Sequence, residues 1–236
     1  MAEPSKLPIT KKGSWRRMNA HKRTSPDNRK KAKVLSWKEA DDRAKRGVNE
    51  GLNPKEVDTL QRLELSHRLR ATEQLNAVDE NGNVIFKKNG TKNRVKVTNE
   101  DMKLFKDKVL THNHPYDDSL GQGLASRIGV PLSGSDIATA MKSDAKEIRA
   151  SAQGYVYSVK RPKGGWRGNP DRVKAQLEGA IGFASDMWGK DYVINNNLSP
   201  ARKLDRQGRF NVAYRDYAIK RIAQVYGFTY TRRKMN

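Results

Sequence analysis

Lys108-Val109-Leu110-Thr111-His112-Asn113-His114-Pro115, followed downstream by Leu132-Ser133-Gly134-Ser135-Asp136-Ile137, is the stretch on which the fold of this chain turns. Lys108–Thr111 reads as a strand ending at His112. Residues two apart on a strand point the same way, so His112 and His114 present both imidazoles to one face, and Pro115 ends the strand there. Ile137–Lys142 reads as a helix. Two histidines and one carboxylate, with water in the fourth position, form a common catalytic zinc arrangement, and Asp136 is the obvious third ligand. Ser133-x-x-Asp136 is equally an ordinary capping signature, with Ser133 as the cap and Asp136 bonding back to it. Twenty-one residues separate His114 from Asp136, so Asp117 and Asp118 stand as alternative third ligands.

Working outward, Thr72–Val78 alternates as a strand, Asp79-Glu80-Asn81-Gly82 is a hairpin turn and Asn83–Lys87 returns. Glu73, in the first strand of that hairpin, can supply the general base that a metal-activated water needs. Arg94–Val97 is expected as a further strand, and Thr98 caps a helical turn reaching Phe105. Lys146–Ala152 and Gly154–Lys160 form a last hairpin. Tyr116–Pro131 is a long loop rich in Gly, Ser and Asp. These elements predict an α+β domain over residues 70–166, a small mixed sheet with flanking helices. Before it, residues 36–69 read as a helical hairpin. Its first helix opens with the capping box Ser36-Trp37-Lys38-Glu39 and runs to about Gly47; the second starts at Asn53-Pro54. After it, residues 167–236 read as a basic helical extension. A helix runs there from Asn169-Pro170 to about Gly189, a turn starts at Ser199-Pro200, and a helix over 209–226 is stopped by Gly227.

The chain has 236 residues, 35% of them hydrophobic and 31% charged, so a core cannot extend over its whole length. The formal net charge of +22 attracts polyanions, nucleic acid first. Residues 1–35 carry eleven Lys and Arg against Glu3 and Asp27 and lack apolar periodicity, which predicts a basic arm disordered on its own. Its Lys11, Lys12, Trp15, Arg16, Arg17, Lys22, Arg23, Arg29, Lys30 and Lys31, with Arg232, Arg233 and Lys234 near the other end, are the candidate nucleic-acid-binding residues. The absence of cysteine excludes disulfides and thiolate metal sites. Any metal ligands must then come from carboxylates and from His21, His67, His112 and His114. No run of about 18 apolar residues occurs and no secretory h-region follows Met1, so neither a membrane span nor a signal peptide is expected.

His112-x-His114-Pro115 followed by Ser133-x-x-Asp136 resembles the JAMM/MPN metalloprotease signature, including its RadC-like bacterial branch. The resemblance implies zinc on His112, His114 and Asp136, a Ser133 that supports the oxyanion, and a Glu73 that activates water. A wider run is similar to the C-terminal domain of minor head (head morphogenesis) proteins of tailed bacteriophages. It takes in Glu73, Asp79-x-x-Gly82, Leu110–Pro115, Leu132–Ile137, Glu147-Ile148-Arg149, Tyr155-x-Tyr157-Ser158 and Arg161-Pro162-x-x-Gly165-Trp166. This likeness covers residues 70–166 and, loosely, the C-terminal helices. It implies a virion protein found in the phage head and the host cytoplasm, with head, portal or other virion proteins and DNA as partners.

Overall fold

The computed structural model describes residues 47–68, 70–116, 129–193 and 199–235. The first described helix, α1 (Pro54–His67), opens on a reciprocal cap: the Glu56 N–H donates to Asn53 Oδ1 at 3.0 Å, and the Asn53 N–H donates to Glu56 Oε2 at 2.9 Å. Its expected partner over 36–47 lies almost wholly outside the described residues. β1 (Gln74–Val78) and β2 (Val84–Asn89) form the anticipated hairpin. The Asp79 carboxylate ties the turn by accepting the N–H groups of Asn81 and Asn83. Gly82 there has φ +80°, and a Cβ would stand 2.7 Å from the Lys55 carbonyl oxygen, so only glycine fits.

Arg94–Val97 is not a strand. The Arg94 carbonyl accepts the Thr91 N–H, and Val95 and Val97 lean onto the core edge without any ladder partner. Alternation alone makes no strand where no neighbour pairs with it. Next, α2 (Asn99–Lys103) is capped by Thr98 as expected. β3 (Val109–Asn113) runs one residue beyond the histidine expected to end it. α3 (Gly134–Lys142) leads to the hairpin of β4 (Glu147–Ser151) and β5 (Tyr155–Lys160).

The C-terminal region departs more from expectation. After α4 (Pro170–Val193), α5 is one helix from Pro200 to Tyr226, not a turn followed by a helix at 209. A single interior Gly208 costs only about 1 kcal/mol and does not end a helix. Gly227 stops it in the left-handed region at φ +76°. Beyond lies β6 (Thr229–Lys234), which pairs antiparallel with β5 from Thr229↔Lys160 to Lys234↔Tyr155. The segment 167–236 is therefore not purely helical, and it completes the central sheet.

The sheet has the order β2-β1-β3-β4-β5-β6. β3 and β4 are parallel, joined through α3, and the other neighbours are antiparallel. The mixed sheet with flanking helices agrees with the expected α+β class. One face carries Leu75, Leu110, Ile148, Ala150, Tyr157 and Val159, which pack against Ile137 of α3, Val173 and Leu177 of α4, and Ile219 and Ile222 of α5. The opposite face meets α1 and is unusually polar. Leu60 packs there on Val78 and Val109, but around it lie buried Gln74, Asn76, Thr111, Asn113, Glu147 and Arg149. Arg149 is satisfied by Glu147, Glu64 and the Val48 carbonyl.

Candidate metal centre

Strand alternation sends Leu110 and His112 toward the helices, and His114 continues that side just past the strand's end. Its N–H still bonds the Ser151 carbonyl at 2.9 Å, which keeps the residue against β4. Asp136 arrives from the first turn of α3. The three side chains converge: His112 Nε2 and His114 Nε2 lie 3.0 Å apart, with Asp136 Oδ1 3.3 Å from the first and Oδ2 3.7 Å from the second. Ligand atoms around a tetrahedral ion with bonds of about 2.0–2.1 Å sit roughly 3.3 Å apart, so the group can hold a metal ion. Two imidazoles and a carboxylate also suit a borderline divalent ion.

Neighbouring groups prepare the ligands. His114 Nδ1 donates to the Val130 carbonyl at 2.8 Å, the hydrogen bond that assigns the proton to Nδ1 and leaves Nε2 as the ligand atom. The capping reading of Ser133-x-x-Asp136 holds at the same time. The Ser133 N–H donates to Asp136 Oδ2 at 2.6 Å, and the Asp136 N–H donates to Ser133 Oγ at 3.1 Å. One carboxylate thus caps the helix and faces the histidines, and the cap fixes its direction.

Burial works against ionisation of Asp136, but the two histidines outweigh it and hold the carboxyl well below its usual range. For His112, burial pushes downward, and the attraction of Asp136 and then Glu73 raises it overall. Glu73 behaves in the opposite way: desolvation raises it, and the histidines only partly compensate. Glu73 lies one residue before β1, held to the hairpin by its N–H on the Thr91 carbonyl and its carbonyl on the Gly90 N–H, both at 2.8 Å. A carboxyl with raised proton affinity beside three side chains that could hold a metal ion is a candidate acid–base group.

Glu73, His112, His114, Ser133 and Asp136 line one cleft of about 660 Å³. All five expected site residues are therefore brought together. Its walls also carry Lys92, Arg94 and Arg215, which the sequence reading did not single out. Asp117, Asp118 and the ten candidate residues of the basic arm lie outside the described residues. Arg232, Arg233 and Lys234 lie in the edge strand β6, not in a helical extension. Arg233 is engaged, donating to buried Glu64 at 2.7 Å, while Arg232 lies over the Tyr155 ring and near Asp216.

No protein-family model matches the chain, and neither the curated proteins nor the solved structures hold a match to it. Among the described residues, no helix is long and apolar enough to cross a membrane.

Proposed function

We propose that this chain is a bacteriophage head-associated, polyanion-binding protein whose central domain is a JAMM-like, zinc-dependent hydrolase of amide or isopeptide bonds. The convergence of His112, His114 and Asp136 with Glu73 and Ser133 in one cleft carries this reading. These are the side chains that the resemblance implies.

Zinc bound by the three ligands would supply Lewis acidity, lowering the pKa of water toward neutrality and polarising a carbonyl. The chain's own residues do the remainder. Glu73 takes a proton from the attacking water as the new C–O bond forms. It then delivers that proton to the nitrogen that leaves as the C–N bond breaks. Ser133 spends only an oxygen lone pair on its cap to Asp136, so its hydroxyl hydrogen can donate to the carbonyl oxygen as charge develops there. Lys92, Arg94 and Arg215 add cationic side chains to the cleft walls beside the carboxylates of Glu73 and Asp136.

Elemental analysis tests the ligand set: about one zinc per chain is expected, and far less in His112→Ala. Folded wild-type protein that takes up no zinc would sink the catalytic version. Incubation with a ubiquitin-like fusion and with plasmid, each with and without chelator, separates amide from phosphodiester hydrolysis. The net charge of +22 favours a second reading, a DNA-binding or ejected virion protein that keeps the domain as a non-catalytic scaffold.

A further inference from the structure

We propose that Asn113 is a positioning residue for Glu73, a role that rests on the hydrolase reading above. Asn113 stands between the two histidine ligands in sequence, yet strand alternation turns its side chain to the opposite, buried face of the sheet. The backbone ladder between β1 and β3 runs from Val78↔Val109 to Leu75↔His112. Past that pair the Asn113 side chain replaces it. Its Oδ1 accepts the Gln74 N–H at 2.7 Å, and its Nδ2 donates to the Thr72 carbonyl at 3.0 Å.

These two groups flank Glu73. The residue's own N–H and carbonyl point the other way, to Thr91 and Gly90. The Glu73 backbone is thus held on one edge by its hairpin partner and on the other by a single amide. That amide belongs to β3, which carries His112 and leads directly into His114, so it ties the backbone of the proton carrier to the segment that bears the ligands. Only an amide supplies a donor and an acceptor at this reach; a carboxylate lacks the donor, and alanine lacks both. A shift of about 1 Å in such a group costs on the order of 10²-fold in rate.

A merely structural Asn113 would satisfy the same backbone groups, so the test must read coupling to Glu73. Full-length wild type, Asn113→Ala, Asn113→Asp, Glu73→Gln and the Glu73→Gln/Asn113→Ala double variant are compared for zinc content and for cleavage of a ubiquitin-like fusion. Asn113→Ala is expected to keep wild-type zinc and a KM within about twofold while kcat falls about 10²-fold. In the Glu73→Gln background the same change should cost less than about twofold more, because the group being positioned is already disabled. Asn113→Asp, which keeps the acceptor for Gln74, should show a smaller kcat loss, and it gives the same readouts if the alanine variant does not fold. Three results overturn the role: wild-type kcat in both single Asn113 variants, a loss that multiplies in full onto Glu73→Gln, or zinc loss accompanying the rate loss. Wild-type protein that binds zinc but cleaves nothing overturns the hydrolase reading itself and the role with it. An active wild type with unchanged Asn113 variants overturns the role alone.

Discussion

Glu64 on α1 accepts a hydrogen bond from Arg149 on β4 at 2.9 Å, with side chains 1% and 0% exposed. The Glu64 Oε2 atom takes Arg233 of β6 at 2.7 Å, so one carboxylate joins the helix to two strands of the sheet. Removing Glu64 takes one of two buried carboxylates from the buried Arg149, leaving it Glu147, and strips Arg233 of its buried partner. Glu64→Ala is therefore expected to cost about 3–5 kcal/mol. Arg62, whose partner Asp58 is like it about 70% exposed, supplies the contrast: Arg62→Ala should cost less than about 1 kcal/mol. Urea denaturation with metal chelated measures both, and equal losses would remove the network from the account of how α1 is held.

Metal binding to the folded site alone raises stability by mass action. At free zinc one hundred times the dissociation constant the gain is about 2.7 kcal/mol, which for a unit of this size shifts Tm by roughly 5–10 °C. The rise should vanish in His112→Ala and Asp136→Ala. Asp136→Ala should also lower Tm with chelator present, because it removes half of the cap on α3. A zinc-induced rise of equal size in His112→Ala would show that the ion acts elsewhere.

His67 gives the fold a pH dependence separate from the metal centre. Burial is the main cause lowering it to about 4, although Gln74 Oε1 lies 2.9 Å from its Nε2. The unfolded chain takes up this proton near 6.5 and the folded chain only near 4, so the neutral form favours folding and stability falls as pH drops across that window. Between pH 7.5 and pH 5 the loss is about 2 kcal/mol from this group. Denaturation at both pH values, with chelator, should show a drop that His67→Gln reduces. An equal drop in the variant would place the dependence elsewhere.

The site was legible where chemistry and local period coincide. His112 and His114 share a face because strands repeat every two residues, and Ser133-x-x-Asp136 could be read as cap or ligand because it is both. Glu73 came from its place in the first strand of a recognisable hairpin, though it lies one residue before β1 begins. Lys92, Arg94 and Arg215 were not legible: a loop and a distant helix meet at the cleft only through tertiary packing. Buried Glu64 and Arg149 resemble ordinary surface charges in sequence, since nothing local announces that each will find the other. β6 was hidden for a related reason, its Thr229-Tyr230-Thr231 alternation running directly into Arg232, Arg233 and Lys234.

That placement of β6 sharpens what DNA binding should look like. Affinity is expected to fall linearly in log–log form with salt, with a slope near −0.9 per phosphate neutralised. Removing residues 1–35 takes away eleven cations and should flatten the slope by several units if the arm tracks the backbone. Arg233 is already committed to Glu64. Arg233→Ala should therefore leave the slope nearly unchanged while lowering stability, whereas a phosphate-contacting arginine would reduce the slope by about 1. Fluorescence anisotropy on a labelled duplex over a salt series, paired with urea denaturation, reads both quantities. A slope that survives loss of the arm would count against the N-terminal segment as a nucleic-acid interface, and one that falls with Arg233 would point to the edge of the sheet.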